Sequence, residues 1–192
     1  MRLHLLSTLI QDSDEDLMLR YRDGDVSAFE ALYTRYKGAL YRYLLRQCGQ
    51  VAIAEELFQD VWLHIVRTHE RYTVRAKFTT YLFHLAHNRL VDYYRQQVHR
   101  AAGSHDGVDG ATALATPATA LEERAHARRQ VSRLLELLPT LPAEQREAFL
   151  LHEEAGLNVE EIAAVTGVHR ETAKSRLRYA VSRLQRGLRG EA

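Results

Sequence analysis

Apolar residues recur at spacings of three and four along most of the chain, the period of one buried face of an α-helix. The first stripe ends at Gly49 and comprises Phe29, Leu32, Tyr33, Tyr36, Leu40, Tyr43 and Leu44. The second comprises Ala54, Leu57, Phe58, Val61 and Ile65. A third helix is predicted over about 79–97, with Leu82, Leu85 and Ala86 facing inward. Because no stretch alternates with the period of two that strands need, the pattern predicts an all-α fold.

The helical pattern stops between Ala101 and Leu121. This segment holds three glycines and one proline, and it has no Lys or Arg. It cannot bury enough apolar surface to offset the entropy of ordering, so it is predicted to be a flexible linker. We therefore expect two small helical domains that the tether leaves independent. The predicted division is an N-terminal extension at 1–13, a first domain at 14–100, the linker at 101–121 and a second domain at 122–192.

The second domain ends in a predicted helix-turn-helix. The helical period resumes with Val131, Leu134, Leu135 and Leu138, and a further helix is predicted over about 143–154. Asn158 is suited to cap the next helix, and Glu161 completes a capping-box-like pair three residues later. This short helix over 159–166 ends at Gly167, and a longer helix follows over about 170–188. Two helices joined by such a turn are typical of DNA-binding proteins.

The two faces of the last helix differ in chemistry. The predicted inward face consists of Ala173, Leu177, Val181 and Leu184. The opposite face carries Glu171, Lys174, Ser175, Arg178 and Tyr179. Over 170–189 there are seven Lys or Arg residues and one acid, and such cations can reach guanine edges or neutralise phosphates. The pattern therefore predicts DNA binding, with a solvated basic helix end as the alternative.

Charge is unevenly distributed although the net charge is only +1. Residues 12–60 contain ten acids and six Lys or Arg residues, so this part is expected to avoid DNA. The single cysteine, Cys48, excludes an internal disulfide. No run of residues is long and apolar enough for a membrane span, so a cytoplasmic protein without membrane insertion is expected. Three histidines at 64, 84 and 87 are expected to be structural or surface residues rather than metal ligands, and no cofactor is predicted.

Several motifs resemble a known family. Residues 54–62 (AEELFQDVW) resemble the polymerase-binding segment in region 2 of extracytoplasmic-function sigma factors, and 78–89 (FTTYLFHLAHNR) resemble their promoter-melting helix. Residues 138–151 are similar to the start of their region 4. Residues 158–163 and 172–177 match its helix-turn-helix. The motifs occur in the family's order, with the linker between them.

The resemblance implies a sigma factor that directs core RNA polymerase to promoters and is not an enzyme. It implies contact with the clamp of the largest polymerase subunit through Glu56, Gln59, Asp60 and Leu63. It implies recognition and melting of the −10 element by Phe78, Tyr81, Asn88, Asp92 and Arg95. It implies recognition of the −35 element by Arg170, Thr172, Lys174, Ser175, Arg176, Arg178 and Tyr179. An anti-sigma factor is implied as a further partner, and activity is expected to respond to stress or another signal.

The sequence departs from the family pattern at a few positions. Tyr81 stands where the family usually has tryptophan, and Tyr179 stands where it often has arginine. His169 and Glu171 replace the usual proline and glycine before Thr172. These differences affect the expected promoter sequence rather than the function. The alternative is a stand-alone helix-turn-helix regulator with a helical sensing domain, which would not explain the acidic and basic helices of the first domain. A helical-bundle enzyme is disfavoured, because no carboxylate pair, phosphate loop or activated nucleophile is evident.

Overall fold

A computed structural model describes residues 12–101 and 122–190, and within these ranges the only regular secondary structure is helical. The N-terminal bundle contains α1 (Asp14–Arg22), α2 (Val26–Cys48), α3 (Val51–Thr68) and α4 (Phe78–Ala101). The C-terminal bundle contains α5 (Glu122–Leu137), α6 (Ala143–Ala155), α7 (Val159–Thr166) and α8 (Arg170–Arg189). The predicted all-α fold class is confirmed.

The N-terminal bundle is built on the long helix α2, which packs against α1, α3 and α4. Its stripe buries Leu32, Leu40, Tyr43 and Leu44 completely. The predicted end at Gly49 is confirmed: this residue has φ of 72°, a conformation that glycine adopts without a Cβ penalty. Around Trp62 the rings of Phe29 and Tyr33 pack at centroid distances of 5.7 and 5.0 Å. This aromatic cluster joins α2 to α3.

Helix α1 is an element that the hydrophobic pattern did not reveal. It buries Leu17, Met18 and Tyr21 against α2, and the Ser13 side chain accepts a hydrogen bond from the Asp16 backbone N–H at 3.1 Å. Glu15 of this helix also accepts a hydrogen bond from the backbone N–H of Phe78 at 2.6 Å. The first turn of α4 is therefore capped by a carboxylate of α1, which lies 63 positions earlier in the sequence.

In the C-terminal bundle the predicted helix-turn-helix is present. The Asn158 side chain accepts the N–H of Glu161 at 2.9 Å, and the Glu161 carboxylate accepts the N–H of Asn158 at 2.9 Å. Gly167 then has φ of 67°, as the predicted turn requires. On α8 the buried residues are Ala173, Ala180 and Leu184, with Leu177 and Val181 packed at their edge. Ala180 also belongs to this face.

The apolar period that resumes at Val131 is only partly buried. Leu134 packs against the core, but Val131 and Leu135 are exposed, and Leu137 takes an inward position instead. Leu137 faces Gly187 of α8. A Cβ atom added to Gly187 would lie only 2.8 Å from the Cδ1 atom of Leu137. The close approach of the two helices at a glycine explains why α5 presents this side to α8.

The two bundles pack directly against one another. Helices α6 and α7 of the C-terminal bundle lie against α2 and α4 of the N-terminal bundle. The expectation that the tether leaves the domains independent is therefore wrong for this arrangement, because polar side chains of the two bundles form ion pairs with one another. Most of the predicted linker and most of the predicted N-terminal extension lie outside the described residues, whereas Ala101 is the last residue of α4.

Candidate nucleic-acid and protein interfaces

The polar face of α8 lies on the surface of the C-terminal bundle. The apolar stripe of the helix packs inward, which turns the opposite side chains to solvent. Five of the seven residues predicted for the −35 element are exposed on this side: Arg170, Thr172, Lys174, Arg178 and Tyr179. Ser175 and Arg176 are half-buried at the edges of the face. The helix therefore presents most of the predicted set together on one accessible surface.

The cations on α8 are not equivalent. Arg170 is paired with Glu160 and with Glu171, the latter at 2.8 Å. The Lys174 ammonium lies 3.7 Å from the Glu171 carboxylate. Arg178 instead lies over the ring of its neighbour Tyr179, with 5.0 Å between guanidinium carbon and ring centroid. A guanidinium placed on an aromatic face keeps its N–H donors available, so Arg178 is suited to a base edge.

The predicted −10 residues on α4 divide into buried and exposed members. Phe78 is completely buried and packs against Tyr36 at 5.5 Å. Its side chain offers no surface to DNA in this arrangement. Phe78 is therefore a core residue here and not part of an exposed recognition surface, which corrects the prediction. Tyr81 is half-buried, with its ring 5.6 Å from that of Tyr72.

The other three −10 residues share an exposed strip of α4. Asn88, Asp92 and Arg95 follow one another at spacings of four and three, and all are exposed. The Asn88 amide nitrogen lies 3.5 Å from the His84 ring, and the Asp92 and Arg95 side chains are 3.8 Å apart. These contacts are long and solvated, so the side chains are free to exchange them for contacts with nucleic acid.

The segment before α4 connects this strip to the other bundle. Tyr72 is buried, Val74 is exposed, and Lys77 extends to the Glu161 carboxylate of α7 at 2.9 Å. Hydrogen bonding to Glu161 and its charge raise the pKa of Lys77. Burial opposes ionisation of Glu161, but its bonds from Asn158 and Lys77 outweigh that effect and lower its pKa. Both groups therefore remain charged near neutral pH.

The predicted polymerase face lies on the outer side of α3. Glu56, Gln59, Asp60 and Leu63 are all exposed. Leu63 has 45% of its surface accessible, and Val66 one turn further has 39%. Val66 was missed, although its spacing of three from Leu63 was available in the sequence. A mixed acidic and apolar strip on one helix face is suited to a protein partner rather than to DNA.

The structure gives no metal site or membrane helix within its described parts. Among residues 12–101 and 122–190, no group of three or more His, Cys, Asp or Glu side chains could hold a metal ion. Within the same residues, no helix is both long and apolar enough to cross a lipid bilayer. Two shallow surface depressions lie beside the start of α1, lined by residues that include Glu15, Arg35 and Thr79, and at the helix-turn-helix turn near Gly167.

Family models match most of both bundles. Residues 32–100 match sigma-70 region 2, and residues 132–188 match sigma-70 region 4. The chain is 32% identical over 174 residues to the RNA polymerase sigma factor CarQ of Myxococcus xanthus, covering 91% of this chain and 96% of CarQ. It is 28% identical over 176 residues to the ECF RNA polymerase sigma factor SigK of Mycobacterium tuberculosis, covering 90% of this chain and 92% of SigK.

Solved structures share the fold. The sigma factor RpoE from Bartonella quintana, in complex with the anti-sigma factor NepR, aligns with a TM-score of 0.70 and 24% identity. That alignment covers 85% of this chain and 98% of RpoE. CnrH, in complex with the cytosolic domain of CnrY, aligns with a TM-score of 0.66 and 20% identity over 94% of this chain and 100% of CnrH.

Two joined helical bundles, the second ending in a basic helix-turn-helix, together with these matches define a transcription initiation factor. The chain belongs to the extracytoplasmic-function sigma factors of the sigma-70 family. It directs RNA polymerase to promoters, with the N-terminal bundle as region 2 and the C-terminal bundle as region 4.

Proposed function

We propose a division of labour among three exposed helix faces. The α3 face of Glu56, Gln59, Asp60 and Leu63 binds the clamp of the largest polymerase subunit. The α4 strip of Asn88, Asp92 and Arg95, with Tyr81, recognises and opens the −10 element. The α8 face recognises the −35 element. The whole process takes place in the cytoplasm, where the polymerase is found.

The observation that carries this proposal is the orientation of α8. Its apolar side packs into region 4, while Lys174, Arg178 and Tyr179 face solvent on the side that a recognition helix presents to the major groove. Arg176 and Arg183 flank this face and are placed to meet phosphates. Arg178 packs on the Tyr179 ring, whereas Arg170 and Lys174 pair with glutamates. We therefore assign base recognition to the N–H donors of Arg178.

Strand opening on α4 uses binding energy alone. The sequence contains no motif for nucleotide binding, so unstacked bases must be held by contacts formed as the strands separate. The half-buried ring of Tyr81 and the Asn88 amide provide a stacking surface and a hydrogen-bonding group for such bases. Arg89 and Arg95 are placed to follow the backbone of the separated strand.

Regulation by an anti-sigma factor is part of this proposal. RpoE of Bartonella quintana, which shares the fold, was solved in complex with the anti-sigma factor NepR. A partner of this kind would restrain the chain until a stress or another signal releases it. Copurification of the chain with a second small protein would support this assignment.

Transcription in vitro tests the proposed function. Purified core polymerase and the full chain should produce discrete transcripts from a genomic library, and sequencing their 5′ ends would identify the promoter. Core polymerase alone is the control. Failure to bind core polymerase, combined with specific binding to duplex DNA, would instead indicate a stand-alone helix-turn-helix regulator.

A further inference from the structure

Glu171 is an acid on an otherwise basic recognition helix. Over 170–189 the chain has seven Lys or Arg residues, and Glu171 is the single acid. Its side chain is 73% exposed, so it is open to a binding partner. Phosphates repel a carboxylate, so a helix that served only to attract the DNA backbone would have no use for this residue.

Glu171 lies on the side of α8 opposite the core. Residues spaced by four and seven lie on one side of a helix, which places Glu171 in line with Ser175 and Arg178. The buried residues Ala173 and Ala180 lie on the other side. Along the helix axis Glu171 and Arg178 are separated by about 10 Å, at 1.5 Å per residue. The two side chains therefore share one face but reach different base pairs.

Glu171 also lies in the first turn of α8, which begins at Arg170. In helix-turn-helix proteins the N-terminal residues of the recognition helix contact base edges in the major groove. Both its side of the helix and its turn of the helix thus place Glu171 among the residues that meet bases rather than phosphates.

Two cations of the same helix flank the Glu171 carboxylate. The Nη1 atom of Arg170 donates to the Oε1 atom of Glu171 at 2.8 Å, and the Lys174 ammonium lies 3.7 Å from the Oε2 atom. Positive charge on both sides offsets the repulsion between the carboxylate and nearby phosphates. A carboxylate has about four lone-pair sites, so these contacts leave it able to accept a further hydrogen bond.

Arg170 connects this carboxylate to the first helix of the helix-turn-helix. The Nε atom of Arg170 donates to the Oε1 atom of Glu160, which lies on α7, at 2.5 Å. The guanidinium thus bridges Glu160 and Glu171. A side chain that is already held in place loses less conformational freedom when it contacts a partner. The bridge therefore prepares Glu171 for a directional contact.

The edges of the bases determine which of them a carboxylate can bind. In the major groove cytosine presents its N4 amino group, a hydrogen-bond donor. Guanine presents the acceptors N7 and O6, thymine presents the acceptor O4 and a methyl group, and adenine presents a donor next to an acceptor. An ionised carboxylate only accepts hydrogen bonds, so acceptors on the DNA repel it. Cytosine is therefore the base whose edge best matches Glu171.

We propose that Glu171 is a specificity-determining residue that reads a cytosine of the −35 element through its N4 amino group. Arg170 and Lys174 offset the charge of the carboxylate, and Arg178 reads a different base pair. The inference rests on the proposed assignment of α8 to the −35 element. An acid in the first turn also interacts favourably with the helix dipole, but that effect would change stability and give no base preference.

Holoenzyme assembled from core polymerase and the full chain tests this contact. The DNA is a promoter obtained by transcription of a genomic library, with its −35 element randomised, and sequencing of the bound fraction gives the base preference at each position. Wild-type holoenzyme should favour cytosine over guanine by about tenfold at one position, the scale of one discriminating contact.

Two substitutions of Glu171 should have different effects at that position. E171Q should move the preference from cytosine towards adenine, because a glutamine amide accepts from adenine N6 and donates to adenine N7. E171A should remove the preference altogether. Both variants should keep the preference at the base pair assigned to Arg178. Because E171Q preserves the size of the side chain, it keeps the test decisive even if E171A lowers stability.

E160Q is the matched control. It removes a second carboxylate bonded to Arg170 and changes the net charge equally, but Glu160 lies on α7. This variant should change the affinity for all sequences by one factor and leave every base preference as in wild type. If E160Q and E171Q instead alter the same preference in the same way, Glu171 acts through Arg170 and the direct contact is overturned.

Identical base preferences for E171Q and wild type would also overturn the inference, as would a wild-type base other than cytosine at the position that E171Q alters. Failure of the proposed function is a separate result. It would appear as wild-type holoenzyme that shows no base preference at any position of the randomised −35 element.

Discussion

The Glu15 carboxylate of α1 caps the backbone N–H of Phe78 across 63 positions of sequence, at 2.6 Å. This contact fixes the first turn of α4, on which the proposed −10 residues are mounted. Glu15→Ala should lower the free energy of unfolding by about 1–2 kcal/mol, since a helix-capping acceptor to a backbone donor is lost. Urea unfolding measures this. Glu15→Gln retains an acceptor oxygen and should lose less, and an equal loss in both variants would contradict the capping role.

The hydroxyl of Tyr72 is buried without a hydrogen-bond partner among the described residues, and the side chain is 7% exposed. Tyr72→Phe should therefore stabilise the protein by about 1 kcal/mol, because it removes an unpaired polar atom and keeps the ring. A thermal melt tests this. Destabilisation by the substitution would show that the hydroxyl has a partner.

Tyr72 should also make the free energy of unfolding depend on pH in the alkaline range. Burial, followed by the nearby Glu15 charge, raises the pKa of Tyr72 from 10.0 to about 12. Its protonated native form contributes stability that is fully present below pH 10 and is lost as pH rises towards 12, because the unfolded chain releases the proton first. Unfolding followed from pH 9 to pH 12 should show a shallower decline for Tyr72→Phe than for wild type.

The capping box of α7 should be measurable in the same way. Asn158→Ala removes the acceptor of the Glu161 N–H and should cost about 1 kcal/mol of stability. Asn158→Asp keeps that acceptor and serves as the control. If alanine and aspartate variants melt at the wild-type temperature, the capping box does not contribute to region 4.

Asp60 tests the polymerase face. Asp60→Lys should weaken binding to core polymerase while leaving region 2 folded, since the side chain is exposed on the surface of α3. Glu30→Lys makes the same change of charge at an exposed position on α2 and should bind normally. Unchanged affinity of the Asp60 variant for core polymerase would remove this assignment.

Arg178 and Arg183 should have different effects on DNA. Arg178→Ala should cost about 1–3 kcal/mol at one base pair and change which −35 element is preferred. Arg183→Ala should weaken all sequences alike and reduce the salt dependence by about one unit. Affinities for a panel of single-base variants decide between them. If Arg178→Ala lowers the affinity for every DNA variant of the panel by the same factor, this side chain does not read a base.

The local features of the fold were predictable from the sequence. The capping pair of Asn158 and Glu161 and the turn at Gly167 each depend on residues within a few positions, so spacing alone revealed them. Helix α1 was missed because its nine residues offer only three buried side chains, too few for a recognisable period. Phe78 was assigned to DNA because an aromatic residue in a family motif suits a core and a binding surface equally.

The junction between the bundles could not be predicted in this way. The partners of Glu147 and Glu154 lie 60 to 112 residues away. No periodicity links positions so distant, and each glutamate taken alone is typical of a solvated helix face. Only the relative placement of α6 on α2 reveals that these carboxylates share enclosed contacts.

Trp62 is the only tryptophan in the chain, and it lies in the aromatic cluster between α2 and α3. Tryptophan fluorescence, excited selectively over tyrosine, therefore reports on region 2 alone, whereas far-ultraviolet circular dichroism reports on the helices of both bundles. Two probes that give one unfolding midpoint indicate a single cooperative unit, and two midpoints indicate units that melt separately. An unlabelled wild-type sample thus contains its own optical measure of how strongly the two regions are coupled.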